Sequence, residues 1–172
     1  MKKFLFFVFI FIPLSYFFNS CKISYSFSGT NISPDVKTFY VADFPNRASL
    51  YIPSLSEKFV DLIKEKILNN TSLNLTENAS NADLVYEGEI TDYTIRPNSV
   101  TANETAATNR LTITINVRFT NNKDHKQDWE KSFSNYSDFP ADMDNTEVEE
   151  ELIDEILEKI IEDIYNNSIA SW

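Results

Sequence analysis

Few residues of this chain have the types and spacing that covalent chemistry needs. Glu87 and Glu89 stand two apart in a run of β-forming residues, so both carboxylates fall on one side of a strand. A general acid and a general base need unequal environments, and two carboxylates on one wet face are equivalent. His125 is the single histidine and lies in the polar run Asn121 to Asp128, with no oriented partner for nucleophilic catalysis. Cys21 is the single cysteine, so counting excludes a histidine and cysteine metal cage. Gly29 and Gly88 are the only glycines, too few for a phosphate-cradling loop. The expectation is a protein with no catalytic residues, no metal and no cofactor.

The scarce cations are more informative. Arg96, Arg110, Arg118 and Lys131 fall in and around one long hairpin, with Arg110 and Arg118 on the same strand parity. Gathered on one face they would hold phosphate or carboxylate bidentately, as candidate ligand or partner contacts. They equally suit cross-strand pairing with Glu87, Glu89 and Glu130. Tyr136, Phe139 and Trp172 lie outside clear periodicity and are candidates for a partner surface.

The elements that position these residues follow from periodicity. Thr38 to Phe44 is rich in β-formers, after a short strand or tether at Ile23 to Phe27. Pro53 and Ser54 open a helix with Leu55, Phe59, Leu62, Ile63 and Ile67 on one face, Ser54 and Glu57 forming a capping box. Strand signals follow at Leu73 to Thr76 and at Leu84 to Ile95, with Leu84, Tyr86, Gly88 and Ile90 in phase. Arg96 to Asn109 reads as a long polar loop. Asn109 to Asn121 alternates strictly, Leu111, Ile113, Ile115, Val117 and Phe119 against threonine, asparagine and arginine, which is a strand with one wet face. Trp129, Lys131 and Phe133 mark its returning partner. Thr146 and Glu149 form a second capping box, opening a helical stripe from Val148 to Tyr165 that is read to the end of the chain at Trp172. The acids at Glu147 to Glu151 match the helix dipole. Strand, helix, three or more strands and helix make an α+β domain, two helices on one face of a mostly antiparallel sheet.

The N-terminus carries an address. Lys2 and Lys3 precede an apolar run from Phe4 to Phe18, then Asn19, Ser20 and Cys21. These are the zones of a secretory signal, and the run is too short for a permanent spanning helix. Phe18 to Cys21 resembles the lipobox of bacterial lipoproteins, which implies cleavage before Cys21 and a diacylglyceryl group on its sulfur. Residues 1–20 are then the signal peptide, 21–36 a lipidated tether and 37–172 one domain. Without Lys2 and Lys3, 13 basic residues face 26 acidic ones, a formal charge of −13. Such a surface repels nucleic acid, and it repels phosphorylated lipids unless the basic residues cluster.

Several segments stand in the order seen in the LptE family of lipopolysaccharide-assembly lipoproteins, particularly its Bacteroidetes-type members. They are the lipobox, Tyr25 to Gly29, Tyr40 to Leu50, Glu87 to Pro97, Asn103 to Arg118, Phe119 to Asp124 and Trp129 to Tyr136. The resemblance implies two helices on a four-stranded sheet in β-α-β-β-β-α order. It implies an outer-membrane lipoprotein on the periplasmic face, partner of the LptD β-barrel in its assembly and in lipopolysaccharide insertion. It also implies lipopolysaccharide contact through basic residues on the sheet and loop, for which Arg96, Arg110, Arg118 and Lys131 are of the matching type. A free-standing lipoprotein that binds lipid or glycan without a barrel is the alternative.

Overall fold

The computed structural model describes residues 32–98, 107–143 and 145–170. Cys21, the Ile23 to Phe27 segment and Trp172 lie outside the described residues, as does the middle of the predicted loop. The elements run β1 (Thr38–Val41), α1 (Pro53–Asn70), β2 (Asn74–Leu75), β3 (Leu84–Asn98), β4 (Thr108–Asn121), β5 (Trp129–Pro140) and α2 (Asn145–Tyr165), which ends in a π-helical turn (Asn166–Ala170). The class is the expected one, α+β with two helices. The sheet has five strands, not four, in the order β2-β1-β3-β4-β5. It is mixed, because β1 pairs in parallel with both β2 and β3. The extra strand is the two-residue β2, whose Leu75 is exposed, so it offers no alternation from which to read a partner.

The strict alternation on β4 decides which face is buried. Leu111, Ile113, Ile115, Val117 and Phe119 are all sealed, together with Leu55, Phe59, Ile63 and Ile67 of α1 and Ile156, Leu157, Ile160 and Ile164 of α2. Full burial of each such side chain contributes about 1.5–3 kcal/mol. On β3 the phase breaks: Ile90 faces Ile115 but Asp92 faces Thr114, leaving Thr91 as the extra residue of a bulge. Beyond it Tyr93 and Ile95 take over the core side. The predicted loop from Arg96 to Asn109 is shorter than expected, because β3 and β4 stay paired out to Asn98 and Thr108.

Helix α1 begins two residues earlier than its capping signal suggests. Its N-cap is Ile52, with no side-chain cap, and Pro53 opens the first turn. Ser54 therefore lies inside that turn and its box with Glu57 does not form; Ser56 instead donates its hydroxyl to the Phe44 carbonyl. The side chain of Thr146 lies outside the described residues. The C-terminal carbonyls of α1 are satisfied locally, by Asn70 to Lys66 and Thr71 to Ile67.

Two contacts hold the parallel side of the sheet together. At Gly88 a methyl group would sit 2.0 Å from the Asn116 carbonyl oxygen and 2.7 Å from the Phe44 ring, so only glycine admits both neighbours. At the other end, Asp83 accepts the backbone N–H groups of Lys37 and Thr38 at 2.8 and 3.0 Å. It also faces the Lys123 ammonium at 3.0 Å, with its side chain only 14% exposed. Burial alone would raise the Asp83 carboxyl, but the Lys37 N–H, the Lys123 ammonium and the Thr38 groups outweigh it and bring the pKa down to about 2.

A depressed carboxylate stabilises the fold above its unfolded pKa and loses that effect as pH falls through the folded one. Asp83→Asn is expected to lose about 2 kcal/mol at neutral pH. The gap should close between about pH 4 and pH 2 as the wild-type carboxyl protonates, and urea unfolding across that range checks it; a constant gap counts against the assignment. Gly88→Ala should cost about 2 kcal/mol in the same assay, through overpacking against Phe44.

Candidate functional site

With both helices on one side, the other side of β3, β4 and β5 is open among the described residues except at Val85, which is buried beside the short turn Ala79–Asn81. Its rows are polar: Glu87, Glu89, Asp92, Thr94 and Arg96 on β3, Arg110, Thr112, Thr114, Asn116 and Arg118 on β4, and Glu130, Ser132, Ser134, Tyr136 and Asp138 on β5. Thr114 and Ser134 share a hydroxyl hydrogen bond at 2.9 Å in the middle of this face.

The arginines stand at its two ends and are largely neutralised. Arg110 donates through Nε and Nη2 to both oxygens of Asp138, at 2.7 and 2.8 Å, and its guanidinium lies 3.6 Å from the centre of the Tyr136 ring. Hydrogen bonding to Asp138 raises the Arg110 pKa, and the same bond holds the Asp138 carboxyl below its ordinary range. Asn98 joins from β3, donating to Asp138 at 3.2 Å, so three strands meet at one stacked group. At the other end Arg118 meets Glu130 at 3.1 Å, and Arg47 lies 3.9 Å from Glu89. Of the two alternatives open in the sequence, cross-strand pairing is the one the structure holds. Arg96 stands directly opposite Arg110 in the ladder, is exposed, and has no ion-pair partner among the described residues.

Two expected members do not belong to this face. Lys131 lies opposite Val117, on the helix side of β5, and donates to Asn167 at 2.7 Å. Its parity, shared with Trp129 and Phe133, already places it there. Phe139 is buried in the core and offers no free surface, because it shares that same parity. Tyr136 is 48% exposed and remains on the open face. His125 pairs with Asp128 at 2.9 Å within one short turn, both groups reachable by solvent.

The charge is distributed unevenly between the layers. Helix α2 carries nine carboxylates and a single lysine, Lys159, whereas the open sheet face mixes acids with arginines along its length. Three lysines draw some α2 acids into pairs: Lys58 with Asp154 at 2.6 Å, Lys66 with Glu162, and Lys159 with Glu155 at 2.7 Å. Buried hydroxyls pin the helix to the sheet at both ends. Tyr93 donates to Glu149, and Tyr86 donates to Ser168 at 3.0 Å, burial pushing both tyrosine pKa values up.

Comparison with known proteins places this arrangement. A family model described as LptE, lipopolysaccharide-assembly, matches residues 36–168. No curated protein matches the chain. Among solved structures, the hypothetical protein CT253 from Chlamydia trachomatis superposes with a TM-score of 0.52 at 10% identity, covering 77% of this chain and 98% of that one. A putative neuraminyllactose-binding hemagglutinin homolog from Helicobacter pylori gives 0.50 at 13%, covering 82% and 90%. A minor lipoprotein from Acinetobacter baumannii gives 0.49 at 16%, covering 77% and 95%. At these identities the first two speak for the fold alone.

Removing Arg110 should release Asp138. In Arg110→Ala the Asp138 carboxyl is expected to titrate upward toward the ordinary carboxylate range with the fold retained, which NMR titration of its side chain reads directly. An unchanged Asp138 titration would mean that the ion pair does not form in solution.

Proposed function

The chain belongs to the LptE lipopolysaccharide-assembly family, and from that premise we propose that it is an outer-membrane lipoprotein on the periplasmic face, partnering an LptD-like β-barrel. In this reading acyl groups on Cys21 hold it to the membrane, two or more chains being enough for stable anchoring. Among the described residues no helix is long and apolar enough to cross a membrane. The protein then assists assembly of the barrel and lipopolysaccharide insertion, by binding and positioning.

The single observation that carries the reading is the open sheet face. It is polar, closely mixed in charge and open over most of its length, and Arg110 and Arg118 already meet carboxylates. The interior of an outer-membrane barrel is likewise polar and wet. The α2 side, with its excess of carboxylates, is the poorer candidate for such a wall because each acid brought there needs a matching cation. Tyr136, held flat by Arg110, is the aromatic anchor of this face.

Direct contact with lipopolysaccharide falls in this reading to Arg96, the exposed arginine without an ion-pair partner among the described residues. Arg110 and Arg118 would first have to leave Asp138 and Glu130. That competition disfavours the free-standing lipid or glycan carrier.

Affinity isolation of the tagged protein from solubilised membranes, with mass spectrometry, is expected to recover one large β-barrel protein. Recovery of no such barrel overturns the partnership. Thr114→Glu, in the middle of the open face, should reduce that recovery about tenfold, the cost of one unpaired interfacial charge. Glu158→Lys on α2 should leave it unchanged.

A further inference from the structure

Helices α1 and α2 lie side by side and run in the same direction, because the ion pairs between them keep one offset. Lys58 meets Asp154 at 2.6 Å and Lys66 meets Glu162, both across the same 96 positions of sequence. These two rungs stand eight residues apart on each helix, about 12 Å along the axis. Midway between them, at the same offset, Leu62 stands level with Glu158. The acid there meets a leucine where its neighbours meet lysines, and Glu158 is exposed with no ion pair among the described residues.

The missing rung opens into a groove of about 710 Å³, lined by Leu62 and Ile161 together with Glu65, Lys66, Glu158 and Glu162 among others. Ile161 is sealed and Leu62 half-buried, which makes its floor apolar. Carboxylates outnumber ammonium groups along its walls. Lys66 is already taken by Glu162, and the other lining lysine, Lys159, by Glu155. Glu65, Glu158 and Asp163 line the same groove and form no ion pair among the described residues.

An apolar floor with an unmatched carboxylate at its rim fits a long cationic side chain, whose stem covers the leucine while its head reaches the acid. Arginine suits it better than lysine, because the guanidinium is weakly hydrated and meets a carboxylate through two parallel hydrogen bonds. The groove follows the two helix axes, so a third helix laid along it brings its own apolar residues to Leu62 and Ile161. A second copy of this chain is the poorer occupant. Neither α1 nor α2 contains an arginine, and α2 would bring its own excess of carboxylates against this one.

We propose that the groove at Leu62 and Glu158 is a docking site for an arginine-bearing amphipathic helix of a partner protein, its guanidinium completing the rung that this chain leaves unfilled. Contact with Leu62 and Ile161 provides the affinity, and the pairing with Glu158 the selectivity. The site is independent of the barrel reading, which rests on the open sheet face in the other layer. Recovery of a barrel and binding of a helix are separate readouts, and either can fail alone.

The test uses the full chain and a short alanine-rich helical peptide with leucines on one face and a central arginine beside them. The same peptide with citrulline for arginine keeps the shape and removes the charge. The arginine peptide should bind saturably, shift the Leu62 and Ile161 methyl resonances, and hold about tenfold more tightly than the citrulline peptide. Glu158→Gln, at an exposed position, should weaken the arginine peptide about tenfold at an unchanged unfolding midpoint and leave the citrulline peptide unaffected. Leu62→Lys supplies the missing cation from within the chain and should weaken the arginine peptide likewise; if that variant unfolds, Glu158→Gln decides. No binding, equal binding of the two peptides, or binding that Glu158→Gln leaves unchanged overturns the proposal. Self-association of the protein that Glu158→Gln abolishes would overturn it in favour of a second copy.

Discussion

Everything in this molecule depends on burying one face of a three-stranded antiparallel ladder and leaving the other bare. The apolar row of β4 is the centre of it. Leu111, Ile113, Ile115, Val117 and Phe119 are each sealed beneath the helices, and because strand side chains alternate, the residues between them are forced to the opposite side. The open polar face is thus a geometric consequence of the core. A one-residue slip of β4 would exchange the two faces, so the same hydrophobic row that stabilises the domain also fixes which arginines reach solvent.

That bare face is conservative in its electrostatics. Arg110 is gripped by Asp138 and Arg118 by Glu130, and the Arg110 guanidinium also covers one side of the Tyr136 ring. Exposed pairs of this sort contribute little to stability. Their effect is on what the surface will accept: it is not a free basic patch, and a phosphate arriving at Arg110 must displace a bidentate carboxylate. The surplus of negative charge sits on α2, on the other layer. A protein built this way presents two chemically different sides, one near balance and one acidic, to whatever it meets in the envelope.

Much of this arrangement was legible in the residues. The strict alternation of β4, the stripe of α2 and the order of elements define the α+β class, and the net negative charge follows from counting. The parity of Lys131 and Phe139, shared with Trp129 and Phe133, also places them on the helix side. The capping box at Ser54 does not form because the helix starts two residues earlier, with Ile52 as its N-cap. The strand signal at Leu73 to Thr76 marks β2, but two exposed residues carry no alternation from which its parallel pairing with β1 could be read.

The sequence by itself determined the core face, the two helices, the near absence of chemistry-bearing side chains and the family resemblance, because each is written in local composition and period. Only the tertiary structure decided where the charges go. The bulge at Thr91 reverses the parity of β3 and brings Arg96 to the open face opposite Arg110, which uninterrupted alternation with Leu84 and Ile90 would have turned inward. The pairing of Arg110 with Asp138 and the seat of Phe44 over Gly88 are likewise set by register between distant strands. Register is a property of paired strands, and no single segment contains it.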